Sequence, residues 1–353
     1  MTVPCDTELA IATPDAGGDG ECSNPDGTSM LTVALVSIAV AFVLFKALRR
    51  SQKTVMIFDF NQRYWSAGGP RPPCCPPGSH PALSTTYADR GEQITVGGVR
   101  LYVVGERSDK AIIVYHDIFG WNSGRLREVC DTLAAQGGFL VVMPDCFQGR
   151  ADKATTVGGS MLLVLSMLWN VRRSSWARLG PELRDVVLPY AASKGARAAG
   201  CLGFCWGSWA VAHACGGGPG QGAEKAAPAA AATKTTVEVK TAAALSVRCG
   251  VSFHGSPLEV GFFHGEGVGR LFRAAAAPLL FVQAGNDPAT CKAGGKVSQA
   301  LLGTPIGTAC RFEEMPEMQH GWMNRGDLAV PAVSRDVELA LKKAREFFNK
   351  HLG

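Results

Sequence analysis

Charge is scarce in this chain, and so are aromatic rings: Asp, Glu, Lys and Arg make up 18% of its 353 residues, and Phe, Trp and Tyr 8%. The formal net charge of +5 is mild over that length. No run of Lys and Arg is interleaved with aromatics, which excludes the basic surface a nucleic-acid partner requires. Pattern is also lacking among the twelve cysteines. They form neither a C-x-x-C pair with a downstream His nor a small disulfide framework, so no zinc motif is legible in their spacing. Cys74 and Cys75 are adjacent, and neighbours in sequence rarely bridge each other; free thiols in a reducing compartment are expected. Internal repeats are absent. What is present is apolar content of 46%, which sets the chain apart from disordered sequences, and enough length for one α/β domain with appendages.

Residues 1–29 are rich in Gly, Asp, Pro and Thr without apolar periodicity and read as a disordered acidic tail. From Met30 the sequence MLTVALVSIAVAFVLF runs without a charge, and only Lys46 interrupts its continuation to Leu48. Roughly 19 helical residues span about 28 Å, close to the hydrocarbon thickness of a bilayer. A transmembrane helix over 30–48 is therefore expected. A signal peptide would place basic residues before the apolar stretch, whereas Lys46, Arg49, Arg50 and Lys53 follow it. The positive-inside rule then puts the C-terminal side in the cytoplasm. Residues 49–81, dense in Pro and Gly towards their end, read as a linker, and a domain is expected over 82–353.

Strand-like and helix-like stretches alternate through that domain. Gln93 to Val104 holds two short β-type runs around a Gly-Gly turn. Ala111–Tyr115, Phe139–Met143, Ala198–Phe204, Ala243–Phe253, Pro278–Ala284 and Ala309–Met315 read as further strands, several of them continuous apolar runs that suit burial on both faces. Ser123–Gln136, Met161–Trp169, Pro181–Ser193 and Val330–His351 read as helices. The alternation predicts an α/β fold with a doubly wound, mostly parallel sheet, preceded by the N-terminal membrane helix. Chemistry in such sheets lies at the carboxyl ends of the strands. Residues 216–241 are Gly, Ala, Pro and Lys with no large apolar residue before Val237, and read as a low-complexity surface insert.

The strongest chemical signal is Gly203-Phe204-Cys205-Trp206-Gly207, directly after one strand run and before a helical one. This is the pattern of a nucleophile elbow with Cys in place of Ser. The glycines suit a tight turn that holds the nucleophile in a strained conformation, and the helix N-terminus is expected to lower the thiol pKa. A later strand ends in Gly285-Asn286-Asp287, and another is followed by Gln319-His320-Gly321. Nucleophile Cys205, acid Asp287 and base His320 thus occur in the chain order of α/β-hydrolases. The backbone N–H groups of Trp206 and Ile118 are the candidate oxyanion hole.

The segments AIIVYHDIFGWN, VVMPDCFQG, GFCWG, GND and QHGW, in this order and spacing, resemble the dienelactone hydrolase (carboxymethylenebutenolidase) family. CCPPGSHPALS followed by YADRGEQITVGGVRLYVVGE looks like the start of its eukaryotic members. The resemblance runs from about Cys74 to the C-terminus, and the membrane helix and the insert depart from the compact bacterial members. It implies an α/β-hydrolase fold and hydrolysis of cyclic enol-lactone esters by a Cys-His-Asp triad, with no metal and no cofactor. Where bacterial members carry a Glu that accepts the proton of the resting thiol, this chain has Asp117, one methylene shorter; a loop carboxylate capping the next helix is the alternative reading. Those enzymes also clamp the substrate carboxylate with arginines. Arg325 stands about one residue out of register with that role, and a solvated arginine is its alternative. Phe119, Trp121, Trp206 and Trp322 are the expected pocket walls, and His254 is either a pocket residue or a satisfied strand-end histidine.

The sequence thus leads to a membrane-tethered, cytoplasm-facing hydrolase of small esters or lactones, with the substrate and the membrane as partners. A catalytically idle hydrolase fold used as a membrane-tethered binding or scaffold module is the competing reading.

Overall fold

In the computed structural model the described residues are 74–83, 85, 87–151, 161–216 and 245–353. The acidic tail, the expected membrane helix, most of the linker and all but the first residue of the expected insert lie outside them. No helix among the described residues is long and apolar enough to cross a membrane.

The sheet is built from β1 (Glu92–Val96), β2 (Val99–Val104), β3 (Lys110–Tyr115), β4 (Leu140–Pro144), β5 (Ala198–Phe204), β6 (Val247–Phe253), β7 (Leu279–Ala284) and β8 (Arg311–Met315). Its spatial order is β1-β2-β4-β3-β5-β6-β7-β8. β1 and β2 form an antiparallel hairpin whose two-residue turn, Gly97 and Gly98, has φ of 54° and 80°, the left-handed pair that a tight hairpin demands. β2 is antiparallel to β4, and every pairing from β4 through β8 is parallel. This is the mostly parallel sheet that the alternating pattern predicts.

The helices are α1 (Leu126–Gly137), α2 (Met161–Arg173), α3 (Trp176–Glu182), α4 (Leu188–Ser193), α5 (Gly207–Ala214), α6 (Pro257–Phe263), α7 (Val268–Arg273), α8 (Lys296–Leu302), α9 (Trp322–Arg325) and α10 (Pro331–Leu352). The helix predicted over Pro181–Ser193 starts earlier, at Trp176, and widens to a π-helical turn over Leu183–Val187. Pro181 and Pro189 flank that turn; neither has the N–H that a regular ladder needs. Helices α6 to α9 are too short to show a period in the sequence.

Burial divides the core into two clusters, one on each face of the sheet. One holds Ile113, Cys201, Cys205, Trp206, Trp209 and Phe281; the other holds Ile112, Leu202, Phe204, Val251, Phe253 and the apolar stripe of α10. Along β5 the alternation is strict, with Cys201 to one side and Leu202 to the other. In α10, Val333, Val337, Ala340, Leu341, Ala344, Phe347 and Phe348 recur at helical spacing and are buried. Gly200 on the central strand admits this helix: a Cβ there would lie 2.8 Å from the Phe348 ring.

Candidate active site

Cys205 follows the last residue of β5 and has φ of +50°, a left-handed conformation that a residue with a side chain rarely adopts. Its N–H donates to Phe253 O at 3.1 Å, and its carbonyl accepts from the N–H groups of Ser208 and Ser256, both at 3.2 Å. The flanking glycines are required by close approach. A Cβ on Gly203 would lie 2.5 Å from Gly207 O, and one on Gly207 would lie 2.2 Å from Tyr115 O. Trp206 precedes α5, so its N–H belongs to the helix end whose donors have no intrahelical partner.

Asp287 and His320 meet directly. The His320 Nδ1 lies 2.6 Å from Asp287 Oδ1, with both side chains fully buried. The second oxygen of Asp287 accepts the Ala284 N–H at 2.6 Å, and the Asp287 N–H donates back to Ala284 O, so the carboxylate is fixed on the end of β7. The His320 backbone N–H donates to Asn286 Oδ1 at 2.7 Å. His320 Nε2 has no partner at conventional hydrogen-bond geometry. Burial alone would lower the imidazole pKa, but the charges of Cys205 and Asp287 together raise it well above its ordinary value.

Sequence spacing gave no hint of what covers the nucleophile. The packed chain reaches back to Cys74, ahead of the boundary expected near Ala82, and Cys74 and Cys75 are buried against Cys205. Cys205 Sγ lies 3.5 Å from Cys74 Sγ and 3.9 Å from Cys74 O. Ser256 Oγ donates to Cys74 O at 2.6 Å, Asn286 Nδ2 to Pro77 O at 2.9 Å, and the His80 N–H to His320 O at 2.9 Å. This strap leaves Cys205 with no exposed surface. Burial pushes the Cys205 thiol up to about 11, against the lowering expected from the helix terminus. Cys75 is held well below its ordinary value, chiefly by hydrogen bonds from the Cys205 and Cys74 thiols, and Cys74 is raised by burial. All ten described cysteines are free thiols, as expected.

Asp117 is committed elsewhere. Its Oδ1 accepts the Phe119 N–H at 2.9 Å; its Oδ2 accepts from Ser123 Oγ at 3.0 Å, from Asn324 Nδ2 at 2.8 Å and from Arg325 Nη1. Four donors occupy its acceptor sites, so the carboxylate is spent on fixing the loop rather than aimed at the thiol. Arg325 is likewise no solvated arginine: it is buried, pairs with Asp117, donates from Nε to His80 O at 3.2 Å, and lies 4.8 Å over the Phe119 ring. Ile118 and Phe119 belong to the Cys205 face of the core. Trp121 and Trp322 do not: both lie in the cluster on the opposite face, Trp121 under the guanidinium groups of Arg100 and Arg127. Proximity in sequence to the motifs misled there: Trp121 lies in a turn and Trp322 opens a short helix, where no strand alternation fixes the face.

Two residues gain weight. His254, with φ of +38°, is fully buried, with both ring nitrogens unpartnered and its ring 5.0 Å from that of His320. Burial, then the charges of His320 and Arg325, hold it neutral. Glu259 carries a buried, unpartnered Oε2, and burial raises its carboxyl to about 7. A surface cavity lined by Arg90, Glu106, Arg107 and Ala135 includes none of Cys205, Asp287 and His320.

Residues 99–255 match the dienelactone hydrolase family. Carboxymethylenebutenolidase homologs of Xenopus tropicalis and Rattus norvegicus are 30% and 31% identical over 130 residues, 36% of this chain. The match spans 50% of the length of each. An uncharacterized AIM2 family protein of Schizosaccharomyces pombe is 27% identical over 286 residues, covering 78% of this chain and 97% of that protein. A solved dienelactone hydrolase from Anabaena variabilis aligns at 16% identity and a TM-score of 0.42, over 75% of this chain and 99% of that one.

Proposed function

We propose, from the premise that this chain belongs to the dienelactone hydrolase family, that it hydrolyses small esters or lactones through Cys205, His320 and Asp287. The observation that carries the reading is the buried Asp287–His320 pair at 2.6 Å on adjoining strand ends, beside an elbow that strains Cys205. The Cys205 sulfur attacks the ester carbonyl as its proton passes to His320; the C–O bond breaks, and the leaving alkoxide takes that proton from the His320 imidazolium. The thioester acyl-enzyme is then resolved by a water whose proton passes to His320. Asp287 orients the ring and offsets its charge. The N–H groups of Trp206 and Ile118 hold the oxyanion, and the strap from Cys74 to His80 lifts to admit substrate. The apolar run 30–48 and the basic residues that follow it support a single-pass membrane protein with this domain on the cytoplasmic side.

The test is p-nitrophenyl acetate turnover by the full chain in detergent, beside Cys205→Ala and His320→Ala. Turnover by the parent and background rates in both variants support the triad. An inert parent in which electrophiles label other cysteines ahead of Cys205 leaves the scaffold reading.

A further inference from the structure

Cys74, Cys75 and Cys205 come from two remote stretches of chain, yet their three sulfur atoms all lie within 4.8 Å of one another and all three residues are buried. The Cys74–Cys205 sulfur distance is 3.5 Å. A tetrahedral zinc site with Zn–S bonds of about 2.3 Å sets its sulfurs about 3.8 Å apart. The three thiols already form one face of such a site, needing adjustments of an ångström or less. A fourth donor faces two of them: His320 is fully buried, its Nδ1 is engaged by Asp287, and its Nε2 has no partner at conventional hydrogen-bond geometry. That nitrogen is left for Cys75 and Cys205; it lies outside the 4.8 Å cluster of the three sulfurs and must close on Cys74. A carboxylate holding the far nitrogen of an imidazole is the usual second shell of a zinc-bound histidine. Hydrolysis needs one thiol and this imidazole; it leaves Cys74 and Cys75 without a task.

We propose that Cys74, Cys75, Cys205 and His320 bind one zinc ion, and that the ion holds the nucleophile and the strap together in an inactive state. On binding, three Zn–S bonds and one Zn–N bond form and three protons leave to solvent, all three from S–H bonds if the imidazole starts neutral, or two from S–H and one from N–H if Cys75 starts as a thiolate beside the imidazolium; nothing is oxidised or reduced. The product carries one net negative charge. A monovalent copper ion on the same donors would carry two, a heavier burden in a buried site, so zinc is the better occupant. The binding part stands on the geometry alone, and the inhibitory part rests on the hydrolase reading.

The full chain, kept reduced with a phosphine and freed of metal, is titrated with zinc against a chromophoric chelator, with proton release followed in weak buffer. One equivalent is expected, with X-ray absorption showing three sulfur neighbours and one nitrogen. Affinity is expected to fall in Cys74→Ser and in Cys75→Ser by more than the ~10–100-fold typical of outer-shell changes, and to persist in Cys310→Ser. Zinc retained with oxygen and nitrogen neighbours only, or no zinc retained by the unaltered chain, overturns the site whether or not the variants fold. Ester turnover is expected to fall in proportion to zinc occupancy and to return on adding chelator; full turnover at full occupancy overturns the inhibitory part. A chain that binds zinc through three sulfurs but never turns over ester defeats the hydrolase reading and leaves the metal site intact.

Discussion

The elbow and the strap meet at one sulfur atom but are built in opposite ways. Cys205 is held by the central sheet: three backbone hydrogen bonds fix its peptide groups, and glycines on both sides approach neighbouring backbone too closely for any side chain. The strap from Cys74 to His80 has no regular structure and is tied to the rest by Ser256, Asn286, Arg325 and the His320 carbonyl. A single such hydrogen bond contributes about 0.5–1.5 kcal/mol. The elbow is built into the sheet, and the strap, which the proposed function requires to lift for substrate, is held by a few separable bonds.

The largest effect should come from the fixed half. Cys205→Ala and His320→Ala are expected to lower kcat/KM for p-nitrophenyl acetate by about three to six orders of magnitude, as when members of a catalytic triad are removed. Equal rates in parent and variants would remove the distinction between elbow and strap altogether. Next, Gly207→Ala forces a Cβ against Tyr115 O and is expected to cost at least about 3 kcal/mol, read as a lower urea midpoint. A neutral outcome would mean that the elbow yields as readily as the strap.

Glu259 tests the groups that face both halves. Its folded-state pKa is raised from 4.5 to about 7 by burial, so between those values the folded chain binds more protons than the unfolded one. Stability must therefore fall as pH rises through that window and flatten above it. Glu259→Gln is expected to remove the fall, gaining on the order of 3 kcal/mol above about pH 8 and almost nothing below about pH 4; parallel stability curves for parent and variant would refute the raised pKa. The smallest effect belongs to the strap. Ser256→Ala deletes the hydrogen bond to Cys74 O, and a loss of about 1 kcal/mol makes opening roughly fivefold more frequent. Iodoacetamide should then label Cys205 that much faster, with the urea midpoint barely moved; an unchanged labelling rate would show that the strap is as rigid as the sheet.

What could be read from the sequence divides along the same line. Strand β5 was legible to the residue, because a run of small and apolar residues followed by Gly-x-Cys-x-Gly is a local signal. Asp287 was legible because it stands just past the apolar run of β7; β8 is Arg-Phe-Glu-Glu-Met, so His320 was legible through Gln-His-Gly and its order in the chain. The strap was not, since Cys74 lies 131 residues from Cys205 and nothing in a Pro-rich stretch announces the contact. The Asp117–Arg325 pair spans 208 residues; a buried ion pair of that kind has no periodicity to betray it. Trp121 and Trp322 show the other limit: the motifs located the turns, but not the face to which each ring points.

The seating of α10 over the middle of the sheet sets the timetable of biosynthesis. Phe348 fills the space beside Gly200, and the apolar stripe of α10 covers the middle of that face, beside α1 and α9. Until codon 352 has been read and the helix has left the ribosome, β5, β6 and β7 present an uncovered greasy surface. Apolar surface of this kind is prone to association while it is uncovered, and that part of the sheet is closed last.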